Sequence, residues 1–118
     1  MMQQIRIAGL VLLLGVGLAG CTGHPGAGNW EATGPVDAPF SQIRVHYEGR
    51  AELIDAKTGS DSHHCFWGGR SAREIQLDCT TPQDTETRIR FILQVGENGA
   101  AKLLKDDVVI GEFRRLAE

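Results

Sequence analysis

The chain has 118 residues, with 12 Lys and Arg against 15 Asp and Glu and a formal charge of −3. That length suits a single domain. The near-balanced, slightly acidic charge gives no electrostatic basis for nucleic acid or an anionic surface as partner, so none is expected.

Residues 1–20 fall into three parts. "MMQQIR" carries Arg6 as its only charged side chain, "IAGLVLLLGVG" is wholly apolar, and "LAG" leads into Cys21. This is the layout of a secretory signal peptide, with an apolar run too short for a comfortable membrane span. Leu18-Ala19-Gly20-Cys21 resembles a bacterial lipobox. The resemblance implies that the Cys21 thiol receives a diacylglycerol, that signal peptidase II cuts before it, and that the new amino group takes a further acyl chain such as palmitate. Two or more chains anchor stably where one does not. Thr22 follows the cysteine, where enterobacterial lipoproteins held in the inner membrane carry Asp. By that resemblance the protein is expected on the outer membrane, facing the periplasm.

Without residues 1–20 the chain loses only Arg6 among its charged residues, leaving 11 basic and 15 acidic side chains and a formal charge of −4. Residues 21–40 are rich in Gly and Pro and show no sustained period. They read as a lipid-bearing flexible tether, in which Trp30 and Phe40 stand out as residues that could dock on a domain at 41–118. Gly28-Asn29-Trp30 resembles the Gly-x-Trp that opens the first lipocalin strand. That resemblance implies a late arginine packed on the Trp, here Arg114 or Arg115. The match is three residues and one ambiguous arginine, and the processed chain is short for an eight-stranded ligand barrel.

The rest reads as strands. In "SQIRVHYEGRAEL" Ile43, Val45, Tyr47, Ala51 and Leu53 alternate with polar residues, the mark of one half-buried strand with a bulge or bend at Gly49. "DAKTGSD" is a loop, and "GGRS" separates "HHCFW" from "AREIQLDC" as a hairpin. "TRIRFILQV" places Ile89, Phe91, Leu93 and Val95 inside and Arg88 and Arg90 outside. Ile92 interrupts that polar face and suits a second layer or a partner. Asn98-Gly99 and Asp106-Asp107 are turn signals that set off a three-stranded C-terminal meander at about 87–96, 100–105 and 108–115. The expectation is all-β: about six antiparallel strands in a small barrel or sandwich.

With Cys21 acylated, Cys65 and Cys79 remain, and an oxidising periplasm makes them a disulfide. Pairing them sets Trp67 opposite Leu77 on the inner face and should bring the Cα atoms to roughly 4.4–6.8 Å.

"HHC" offers His63 and His64 as metal ligands. Neighbours on a strand face opposite ways, so only His63 could join Cys65, and an oxidised cysteine is no thiolate ligand. Two surface histidines beside a disulfide, and no metal or other cofactor, are expected. Ser41, Ser60, Ser62 and Ser71 lack a nucleophile-elbow setting, and no catalytic residue is assigned. The expected function is therefore a non-enzymatic envelope lipoprotein that binds an envelope protein, with Arg88, Arg90 and Ile92 as candidate contacts. A periplasmic lysozyme or protease inhibitor or an immunity protein is the alternative, and a metal or small-ligand carrier the second.

Overall fold

The computed structural model describes residues 23–34 and 38–117; the lipobox and Cys21 lie outside them. Eight antiparallel strands follow one another in order: β1 Gly28–Ala32, β2 Phe40–Val45, β3 Arg50–Asp55, β4 Asp61–Ser71, β5 Glu74–Thr81, β6 Asp84–Val95, β7 Ala100–Lys105 and β8 Val108–Arg115. Each pairs with the next, and β8 returns to pair with β1, closing a barrel. Closure removes the unpaired edges that an open sheet would expose.

The strand count corrects the six expected. Residues 28–32, read from composition as tether, are β1. Trp30 faces Ile43 on β2 and Arg115 on β8, so the strand is held from both sides by residues far away in sequence. The single strand expected over 41–53 is two strands. His46 to Gly49 make a turn, with Gly49 N donating to His46 O at 3.1 Å and Gly49 at φ 108°. Tyr47, placed inside by the alternation, sits on that turn and is 66% exposed. The meander is β6, β7 and β8, close to its expected bounds.

Alternation fills the interior. Ile43, Leu53, Ile75, Leu77, Leu93 and Leu103 are completely buried, and Phe113 nearly so. Among the described residues every buried side chain is apolar. Cys65 and Cys79 face each other across β4 and β5, as do Trp67 and Leu77, and the two sulfurs are bonded. Their Cα atoms are 4.0 Å apart, shorter than the expected range. Facing residues on antiparallel strands already stand about 4.5 Å apart at narrow pairs, so this bridge adds to a contact the sheet itself makes.

The end of the barrel from which β1 departs, here called the base, also carries the β2–β3, β4–β5 and β6–β7 turns. Residues 24–27 lie across it. Trp30 Nε1 donates to Gly26 O at 3.0 Å, and the Arg115 guanidinium stacks 4.3 Å above the Trp30 ring. Arg115 also donates to Ala27 O at 2.5 Å and to Pro25 O. Of the two arginines that the Gly-x-Trp resemblance offered, Arg115 covers the Trp, while Arg114 pairs with Glu31 at 2.7 Å. Gly26 is required here: a Cβ would come within 2.9 Å of Ile75 Cγ2.

At the opposite end Lys105 and Val108 flank a two-residue turn, with Asp106 at φ 51° and Asp107 at φ 65°. Two successive positive φ values define the hairpin turn that prefers Asn-Gly. Asp106→Asn with Asp107→Gly is expected to stabilise the fold by about 1 kcal/mol through relief of left-handed strain. In thermal unfolding this should raise the melting temperature by roughly 4–8 °C. A lowered melting temperature would mean that the two carboxylates make a contact that the turn geometry alone does not reveal.

Candidate partner-binding surface

The outer face of the barrel carries the side chains that packing does not claim. On β4, Cys65 points inward and Trp67 is partly buried against the core, so Phe66 between them points out. It is 63% exposed. Register places Arg50 on one side of it and Asp78 on the other, with Arg90 facing Asp78 from β6. The next outward row runs Gln76, Ile92, Leu104 and Val109 from β5 to β8. Ile92 and Leu104 are half-buried, and Val109 is 46% exposed. Ile92 therefore belongs to an apolar row across three strands and, among the described residues, meets no second layer.

Two clefts of about 380 Å³ each flank the Phe66 ring. Arg50, His64, Asp78 and Arg88 help line one; Trp67, Gly68, Arg70 and Gln76 help line the other. Gly68 leaves the second open, since nothing lies within 4 Å of where its Cβ would be.

The charges are partly fixed. Arg90 Nε donates to Asp78 Oδ1 at 3.2 Å and Gln76 Nε2 donates to Oδ2 at 3.1 Å. Partial burial pushes the Asp78 carboxyl up, but these hydrogen bonds and the Arg90 and Arg88 charges outweigh it and hold the group below the usual carboxylate range. Arg50 is engaged by Glu48 at 2.6 Å. Among the described residues Arg88 has no ion pair, and it is exposed beside the Phe66 cleft.

Arg88, Arg90 and Ile92 thus share one outer face, as expected from alternation along β6. Phe66, Leu104 and Val109 were not singled out in the sequence. The signal for Phe66 was available, since an inward Cys65 forces its neighbour outward. An exposed aromatic ring with guanidinium groups beside it is the composition of an interface centre. Scattered exposed apolar residues carry no such meaning, but Ile92, Leu104 and Val109 stand side by side across β6, β7 and β8.

A larger cleft of about 550 Å³ lies over β5–β8. Its walls include Glu74, Gln94, Lys102 and Glu112, which face one another in register. Gln94 already donates to Glu74 at 2.9 Å. Val95, Ala101 and Phe113 also line the cleft, but all three are buried in the core, so it presents no exposed aromatic ring.

His63 and His64 separate as strand geometry requires. His64 is exposed on the outer face. His63, expected at the surface, turns inward and is half-buried, packed edge-on against Phe40 and Phe91 with ring centroids 5.2 and 5.6 Å away. Leu53, its cross-strand partner, also faces the core, which sets this direction. Ser62 Oγ donates to Leu53 O at 3.2 Å and is hydrogen-bonded to His63 Nδ1 at 2.9 Å. Among the described residues no three His, Cys, Asp or Glu side chains are placed to share a metal.

Burial holds the His63 imidazole below its ordinary value of 6.5, with Lys105 and His64 lowering it further and Asp55 opposing. A base whose folded-state pKa is depressed binds its proton more tightly when unfolded. Its stabilising contribution is present above the unfolded value and is lost as pH falls through the folded one. Stability should therefore decrease from pH 7.5 to pH 5, and His63→Phe should flatten that part of the profile. Urea midpoints at the two pH values read this out; an equal drop in both proteins would assign the acid sensitivity to other groups.

Compared with protein-family models, with curated proteins and with solved structures, the chain matches none.

Proposed function

We propose that the protein is a cell-envelope lipoprotein, anchored through Cys21 on the periplasmic side of the outer membrane, whose barrel binds an envelope protein and performs no chemistry of its own. The observation that carries the binding part is Phe66, exposed between two clefts on β4, with the Ile92–Leu104–Val109 row beyond β5. The Cys65–Cys79 bond suits an oxidising compartment. A carrier would line an interior cavity with Trp30, Tyr47 and Phe91; among the described residues Trp30 and Phe91 are packed in the core and Tyr47 is exposed. An inhibitor would present a long free loop, whereas the 56–60 connection is a compact turn. Asp55 Oδ1 accepts from Lys57 N at 2.7 Å and Thr58 N at 3.0 Å, and the chain is strand again from Asp61.

Phe66→Ser tests the proposal. An exposed position away from core and caps changes stability by under roughly 0.5 kcal/mol. Truncating an interface anchor costs about 2 kcal/mol or more, a loss of some thirty-fold in affinity. Recovery of the partner from crosslinked envelopes should collapse while the melting temperature holds. Undiminished recovery would remove Phe66 from the interface.

A further inference from the structure

The segment that leads into β1 is fastened to the base of the barrel at nearly every residue. The Gly23 backbone packs on the Tyr47 ring, with its Cβ position 3.0 Å from Cδ1. His24 Nε2 donates to Ser71 O at 2.7 Å, while its Nδ1 accepts from Gly26 N at 2.9 Å. The imidazole also meets Trp67 edge-on at 6.2 Å and lies against Gly69. Arg115 then holds the Pro25 and Ala27 carbonyls. Only Thr22 separates this fastened segment from Cys21.

Covalent reach turns this into a constraint. Two residues span at most about 7 Å. A free tether of 20 residues would instead have a typical end-to-end distance of roughly 25 Å. We propose that the lipid on Cys21 does not suspend the barrel but seats it, base down, on the phospholipid headgroups, with Tyr47, Arg70 and Arg73 as the contact residues. The proposal rests on the lipoprotein reading above.

The base has the chemistry for that contact. Tyr47 stands out on the β2–β3 turn next to Gly23, and a phenol with an apolar ring and a polar tip suits the headgroup layer. Arg70 and Arg73 border the β4–β5 turn and are exposed. Arg73 donates to Gly96 O at 3.0 Å, which braces its side chain on the neighbouring turn. Guanidinium groups present planar forks that match phosphate. Glu48, the acid on the Tyr47 turn, is engaged by Arg50. The acyl chains supply the affinity, so the slightly acidic net charge of the chain does not oppose the arrangement. The Asp106-Asp107 turn and the His63 end then point away from the bilayer.

The test uses the full chain, purified from envelopes and reconstituted in phosphatidylethanolamine and phosphatidylglycerol vesicles that contain a headgroup-nitroxide lipid. A fluorescent amino acid replaces Ala72 on the β4–β5 turn or Thr58 at the opposite end, and the mass of the Cys21 peptide is recorded on the same samples. Quenching at position 72 should exceed that at position 58 several-fold. Equal quenching at the two positions with acylated Cys21 would overturn the seating and leave the anchor standing. An unmodified Cys21 peptide would overturn the lipoprotein reading and the seating with it.

Discussion

Trp30→Ala is expected to cost about 3–5 kcal/mol, the range for removing a fully buried large aromatic side chain. Against a total stability of roughly 5–15 kcal/mol, that is enough to unfold a weak domain. Trp30 has no exposed surface, and it does three things at once. Its ring fills the base of the barrel, its Nε1 fixes Gly26 O, and its face receives the Arg115 guanidinium. The urea midpoint should fall by at least about 1 M, given slopes of 1–3 kcal/mol/M for small domains. Trp30→Phe keeps a ring but not the indole N–H and should lie between. Arg115→Lys should not restore the wild-type value, because an ammonium cannot stack flat on Trp30 while donating to two carbonyls. If Trp30→Ala left the midpoint in place, β1 would not be part of the cooperative barrel.

Replacing Cys65 and Cys79 together by Ala should lower stability by about 3 kcal/mol, the chain-entropy value for a loop near 15 residues. Here the cysteines are 14 residues apart and both buried, and they face each other in register on the two longest neighbouring hairpin arms but one. The bond constrains the unfolded chain, and the loss of two packed sulfurs leaves a small void as well. Urea unfolding of the oxidised wild type, the wild type under reductant and the double variant separates the two contributions. Reductant should account for most of the loss. Equal midpoints for the oxidised and reduced wild type would show that the β4–β5 pairing holds without its covalent link.

Alternation made β5 to β8 readable, because each strand is long enough for several inward residues and ends at a turn with its own chemistry. The disulfide followed from the two cysteines left in an oxidising compartment, with their shared inner face in support. β1 was not readable: five residues give too few repeats to show a period, and its pairing with β8 is a closure between the two ends of the domain. The β2–β3 boundary was hidden for another reason. Val45 and Ala51 face each other, and the five residues between them preserve the inward–outward parity, so the alternation runs straight through Tyr47. His63 and Phe66 follow from the inward Cys65 by simple parity, one in and one out. What parity does not show is that Phe66 stays uncovered, since that depends on which side chains β3 and β5 place beside it. The seating of residues 23–27 was equally hidden, because Gly and Pro there serve close backbone contact at the base and not flexibility.

Photocrosslinking in intact cells tests the partner-binding face most directly. A benzophenone amino acid is placed in turn at Phe66, Ile92, Lys102 and Thr58 of the full chain, and adducts are compared after irradiation. Positions 66 and 92 should give the same discrete adduct, weakened when Arg88 and Arg90 are changed to Ala, while 102 and 58 give none. An adduct confined to position 58 would move recognition to the 55–60 turn and support the inhibitor reading instead.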